Sequence, residues 1–216
     1  MSNPLYDADR AIAAALQSPA LQQNAALHAI GAAFNWWGGP GVIWFAAILW
    51  LGGRALKRPL VSTIGLRGAE GIAVASAISG ILKGFAGRAR PFVTPDEPWH
   101  WSFLHGWTDA KYFSMPSGHT TATFAFAAAI TIASARMTWM ARLSLVSASF
   151  ASAILVAFAR TYTNQHWFSD VLAAALLGGM TGFLLAGWHE RHPRTAFDRV
   201  MLGAAGAADH GHEPRA

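Results

Sequence analysis

An all-α helix bundle embedded in a membrane is the fold class this sequence predicts, and three observations predict it. Of its 216 residues, 53% are hydrophobic and only 12% are charged, about half the charged share of a soluble domain. No Asp, Glu, Lys or Arg occurs between Ala11 and Gly53. The charges that do occur gather between apolar runs, as they do where helices leave a bilayer.

The same totals exclude several classes of protein. There is no cysteine, so disulfide frameworks, thiolate metal sites and cysteine nucleophiles are ruled out. The net charge of +5 contains no basic run suited to nucleic acid, and it fits positive residues bordering membrane segments. The opening "MSNPLYDADR" lacks the basic start and small-residue cleavage site of a secretory signal, so internal spans are expected to insert the chain uncleaved.

Taken in order, residues 1–38 read as an apolar or amphipathic helical segment. Pro19 and Pro40 divide the uncharged run from Ala11 to Gly53, because each lacks an N–H and disfavours helix just before it. Leu21 to Trp37 contains Gln22, Gln23, Asn24, His28 and Asn35; it either lies in the interface or spans imperfectly. Gly41 to Gly53 makes a better span when extended back through Trp36 and Trp37, and Arg54 to Arg58 closes it. Residues 39–188 form the membrane core, with five to six transmembrane helices in all.

The next helix has only Gly71 to Leu82 free of charge, too short for a core that needs about 20 residues. It must include Arg67 and Glu70, which can pair at i,i+3, or run past Lys83. A polar, aromatic loop follows Pro91 and extends to Met115. Three clearer spans come next: Thr120 to Ala135, Leu143 to Ala159 and Val171 to Trp188. In the second of these, Ser144, Ala148 and Ser152 recur every four residues, which predicts a small-residue packing face. Residues 189–216 read as a polar cytoplasmic tail, disordered at its end. "HERH" (His189 to His192) and "DHGH" (Asp209 to His212) read as solvated tail in preference to weak metal sites.

If the spans alternate, Arg54, Lys57, Arg58, Arg136, Arg142, Arg191, Arg194 and Arg199 share one side, the cytoplasmic one. Lys83, Arg88, Arg90, Lys111 and Arg160 fall on the other. Those outward cations run against the rule unless they bind an anion.

Three polar groupings reach that outer edge: "KGFAGRARP", "PSGH" and "RTYTNQHWFSD". Ionisable groups at membrane depth cost several kcal/mol and are a functional-site hypothesis by default. Arg90 and Arg160 offer planar forks of donors and Lys83 a point charge, all suited to phosphate oxygens. Ser117 and Gly118 stand at a helix start, where free N–H groups favour an anion. His166 and Asp170 are four apart, so on a helix the carboxylate can hold one imidazole nitrogen and leave the other free as nucleophile or base. His119 supplies a second imidazole able to give a proton to a departing oxygen. Together these make a phosphoryl-transfer site. Singly each has an ordinary reading: an N-cap turn, snorkelling interfacial anchors, a structural hydrogen bond.

In this order, K-x6-RP, PSGH and R-x5-H-x3-D resemble the three signature motifs of the type 2 phosphatidic acid phosphatase (PAP2) superfamily, in its membrane lipid phosphate phosphatase branch. The match covers Lys83 to Asp170. One position departs from the pattern: Ala159 precedes Arg160 where the family usually has serine, which touches fine positioning more than activity. The resemblance implies a PAP2/haloperoxidase-like core, with His166 forming a phosphohistidine, Asp170 orienting it and His119 protonating the leaving group. It implies that Lys83, Arg90, Ser117, Gly118 and Arg160 hold the phosphate, and that no metal or other cofactor is needed.

The expected partners are therefore the bilayer and a lipid phosphate or diphosphate, of the phosphatidic acid, phosphatidylglycerol phosphate or undecaprenyl diphosphate type, with no nucleic acid. The expected location is a bacterial inner membrane with the site facing outward. Two other functions fit the same residues: a vanadate-dependent haloperoxidase, whose known members are soluble and larger, and a non-catalytic lipid-binding or transport protein. In the loop from Pro95 to Phe113, Trp99, Trp101, Phe103 and Trp107 are either an interfacial aromatic belt or a gate for a lipid tail. Arg88 and Lys111 are expected to be secondary, meeting a headgroup or diphosphate.

Overall fold

The computed structural model describes residues 3–192 and 195–208. Three short helices open the chain: α1 (Pro4–Leu16), α2 (Pro19–Gln22) and α3 (Ala25–Trp36). Asn3 and Asn24 cap α1 and α3, each side chain accepting two backbone N–H bonds. A wide turn at Trp37–Gly41, with Gly39 out of helical geometry, bends α3 into α4 (Val42–Ala55). Pro40 is the cause of the bend, as its sequence position predicts.

Helices α5 (Pro59–Ala86), α6 (Gly118–Ala133), α7 (Trp139–Tyr162) and α8 (Phe168–Arg191) follow, and α9 (Ala196–Ala208) ends the described chain. Helices α5, α7 and α8 are long and apolar enough to cross a membrane. At 14 and 16 residues, α4 and α6 rise about 21 and 24 Å. The all-α membrane bundle expected from composition is therefore the fold observed. Helix α5 resolves its own ambiguity by doing both things the sequence allowed. It includes Arg67 and Glu70, which pair at 2.8 Å, and it runs past Lys83.

At the centre stands α6, the Ala- and Thr-rich helix, enclosed by α4, α5, α7 and α8. Phe126 and Ile130 on α6 meet Val42 and Ala46 of α4 and Ile64 and Ile72 of α5. On its other side α6 meets α8 almost backbone to backbone: a Cβ at Gly178 would lie 2.2 Å from the Thr121 carbonyl oxygen, and one at Gly182 would lie 2.3 Å from that of Ala125. Small residues thus set the α6–α8 distance, as they do in lipid. On α7 the packing face differs from the expected one. Ser144 and Ala148 are exposed, and the buried stripe is Ser149, Ala153, Val156 and Arg160. Helical spacing is present in both sets; in the observed one Val156 lies against Gly38 and Arg160 bonds Asn35.

The end of the chain also departs from a solvated tail. His189 lies on α8, half-buried against Glu70 and Asp198, while Arg67 bonds Asp198 at 2.5 Å. Trp50 and Arg54 of α4 donate to carbonyls of Val200 and Met201. This network docks α9 at the end of the bundle where α4 finishes and α5 begins. Arg194 and the Asp209 to His212 motif lie outside the described residues.

Candidate active site

Lys83 near the end of α5, the start of α6, Arg160 near the end of α7 and His166 just before α8 all lie at one end of the bundle. Five hydrogen bonds tie the separate stretches together. Lys83 Nζ donates to the carbonyls of Phe113 (3.0 Å) and Ser114 (3.3 Å). Trp167 Nε1 donates to the Ala89 carbonyl at 3.0 Å. The Ser117 N–H donates to the Asp170 carbonyl at 3.2 Å, and Arg90 Nη1 donates to Gln165 Oε1 at 2.8 Å. Gly87 turns the chain from α5 into this end. Its φ is +57°, and a Cβ there would meet the Ser102 carbonyl oxygen at 1.7 Å, so only glycine fits.

Ser117 caps α6, and Thr121 is the first residue to donate to its carbonyl. The N–H groups of Gly118, His119 and Thr120 therefore stand outside the helical ladder, at the positive end of the dipole. Gly118 lies against Lys83, its would-be Cβ 3.7 Å from Lys83 Cε. The ring of His119 rests on the bend between α3 and α4, with its Nε2 3.0 Å from where a Cβ on Gly39 would be. The sequence reading passed over Gly38 and Gly39; a Gly-Gly-Pro-Gly turn beside a helix start was the available signal.

His166 is in the turn before α8, not on the helix as its i,i+4 spacing with Asp170 suggested. Its Nδ1 is 3.5 Å from Asp170 Oδ2 and has no hydrogen-bond partner among the described residues. Burial first, then the charges of Lys83, Arg160 and Arg90 and the neighbouring His119, hold its pKa well below the ordinary 6.5. Asp170 is occupied instead by Ser114 Oγ (2.5 Å), the Trp167 N–H (2.9 Å) and Arg88 Nη1 (2.6 Å).

Arg88 is the largest correction to the sequence reading. It meets no headgroup: it is 1% exposed and clamped between Asp170 and Asp9, with Ser169 and the Pro98 carbonyl as further partners. Asp9, from α1, is fully buried and was missed entirely. Asp7 and Arg10 share the same helix, so nothing local set Asp9 apart from its charged neighbours. Lys111 remains exposed.

The remaining cations are left without carboxylates. Among the described residues, Lys83 bonds only carbonyls, Arg90 only the Ala110 carbonyl and Gln165, and Arg160 only Asn35, while Arg160 Nε is buried with no partner. No ion pair is recorded for any of the three among the described residues. Burial lowers the Arg90 pKa, an effect that the Asp170 charge opposes. Three buried or half-buried cations around two imidazoles make a site short of negative charge.

The four aromatic residues of the loop separate. Trp99 is turned towards α1, its Nε1 donating to Asp9 at 3.3 Å. Trp101 is 5.1 Å from the Arg88 guanidinium. Phe103 and Trp107 gather on Phe85 at 6.1 and 5.8 Å, and both are exposed.

Comparison with known proteins identifies the family. The family model for the PAP2 superfamily matches residues 65–194. The chain is 35% identical over 141 residues to the "Putative undecaprenyl-diphosphatase YbjG" of Escherichia coli (strain K12), covering 65% of this chain and 62% of that protein, so it spans less than two thirds of the relative's length. The fold matches the crystal structure of a transmembrane PAP2 type phosphatidylglycerolphosphate phosphatase from Bacillus subtilis. The TM-score is 0.69 at 23% identity, covering 89% of this chain and 90% of the other. A bundle with all three polar stretches at one end and a family match running from α5 through α8 supports one conclusion: the chain belongs to the PAP2 superfamily.

Proposed function

We propose that this protein is an integral membrane phosphatase that removes the terminal phosphate from a lipid phosphate or diphosphate. The observation that carries the reading is the set of three cations, Lys83, Arg90 and Arg160, without carboxylate partners around His119 and His166. A phosphate group supplies the missing charge, and the N-terminus of α6 adds backbone donors. The names of the two relatives, one for a diphosphate and one for a phospholipid phosphate, support a long-chain substrate.

In the reaction, Nε2 of neutral His166 attacks phosphorus and the bond to the leaving oxygen breaks. His119 gives that oxygen its proton, so a lipid alcohol or a lipid monophosphate departs. Asp170 faces Nδ1 and stabilises the cation formed on the ring. Water, its proton taken by His119, then splits the phosphorus–nitrogen bond and releases inorganic phosphate. The lipid enters beside Phe85, Phe103 and Trp107, whose exposed rings suit an acyl or prenyl chain. Arg54, Lys57, Arg58, Arg142 and Arg191 lie at the opposite end of the helices, which orients the site towards the outside of a bacterial inner membrane.

The test is phosphate release by purified protein in detergent across a panel of lipid phosphates, with EDTA present, beside His166→Ala. The expected result is release in EDTA that falls by about a thousandfold or more in His166→Ala. Strict dependence on a divalent ion, or an active His166→Ala, would overturn the mechanism. Phe103→Ala with Trp107→Ala should lower kcat/KM for long-chain substrates about tenfold while sparing a short soluble ester. Equal loss on both would rule out the tail contact.

A further inference from the structure

Asp9 lies outside the residues of the family match and 160 positions from its partner Ser169, yet it is fully buried. Four groups meet its carboxylate. Oδ1 accepts the Ser169 N–H at 2.7 Å; Oδ2 accepts Ser169 Oγ at 2.6 Å, Arg88 Nη2 at 2.7 Å and Trp99 Nε1 at 3.3 Å. The Ser169 N–H is one of the free donors in the first turn of α8. Asp9 therefore caps, from a distant helix, the helix that carries Asp170.

The charges in this cluster decide what the cap does. Arg88 is the single cation between two buried carboxylates, Nη2 on Asp9 and Nη1 on Asp170 at 2.6 Å. Arg88, Asp9 and Asp170 together carry one net negative charge, and the Asp170 oxygen not bonded to Arg88 is the one 3.5 Å from His166 Nδ1. Without the Asp9 charge, Arg88 and Asp170 would cancel. His166 would then face the cations Lys83, Arg90 and Arg160 with no negative charge behind it.

From this arrangement we propose that Asp9 is a positioning residue for the reaction, acting through Arg88 and Ser169 to keep the cluster behind His166 net negative and Asp170 aimed at the ring. The inference rests on the phosphatase reading above. It predicts an effect on the step in which His166 gains positive charge, and none on phosphate binding, because Asp9 does not touch the anion site.

The experiment compares kcat, KM, the pH profile of kcat/KM and thermal unfolding for wild type, Asp9→Asn and His166→Ala on one lipid phosphate. Asp9→Asn is expected to lower kcat about tenfold or more, the usual scale for an outer partner of a reacting group, with KM changed less than about twofold. Its acid limb should move to lower pH, because removing negative charge makes the imidazole harder to protonate. A purely structural cap would lower the unfolding temperature and leave that limb in place. Folded Asp9→Asn with wild-type kcat and an unshifted limb overturns the proposal while His166→Ala is dead. If Asp9→Asn does not fold, Asp9→Glu keeps the charge and shifts the carboxylate by one methylene. There kcat should fall with the acid limb unmoved, and wild-type kcat would overturn the proposal. If His166→Ala is as active as wild type, the phosphatase reading itself fails and this inference falls with it.

Discussion

Arg88 and Arg90 stand two residues apart and meet different fates. Arg88 is sealed between two carboxylates and works as structure; Arg90 reaches only carbonyl and amide oxygens and stays available to an anion. Removing the guanidinium in Arg88→Ala leaves Asp9 and Asp170 buried and unpaired. That is expected to cost about 3–5 kcal/mol, read as a lower unfolding temperature in detergent. His166 supports a prediction of the opposite kind. Burial and its cationic neighbours hold its pKa below 6.5, so the ring stays neutral and nucleophilic to lower pH. The acid limb of kcat/KM should lie below pH 6.5, and Arg160→Gln should move it upward by removing a positive neighbour. A wild-type limb at or above pH 6.5 would contradict this.

At the scale of elements, α6 and α8 form the axis on which the site is mounted. Gly178 and Gly182 let the two backbones touch, and α8 carries Asp170 at its start. Gly178→Ala would place a methyl 2.2 Å from the Thr121 carbonyl oxygen, forcing the helices apart. The expected costs are about 1–3 kcal/mol of stability and a clear loss of phosphate release, measured in the same preparation. The helices of this axis were readable from sequence, since Thr120 to Ala135 and Val171 to Trp188 are long apolar runs. The packed face of α7 was not, because period alone does not choose between Ser144–Ala148–Ser152 and Ser149–Ala153–Val156. The choice depends on which face meets Gly38 and Asn35, and those are long-range contacts.

Across the whole molecule the two ends of the bundle are organised differently. At the far end, Arg67, Glu70, His189 and Asp198 close on one another and hold α9. Arg67 is 16 residues before Lys83 on α5, about 24 Å along the helix. Asp198→Ala should therefore release α9, seen as faster hydrogen exchange in residues 196–203, with phosphate release changed less than about twofold. At the site end the cations are left open. The motifs were legible in the sequence because residue type and spacing are local. Asp9 and Asn35, which brace Arg88 and Arg160, were not, because only the folded chain brings residues so distant together. The central claim is that this open end holds one phosphate against His166. Acid- and alkali-quenched turnover on a radiolabelled lipid phosphate, followed by peptide mapping, tests it most directly. The account predicts an alkali-stable, acid-labile label on the peptide containing His166. Phosphate release with no labelled protein, or a label on a peptide lacking His166, would contradict it.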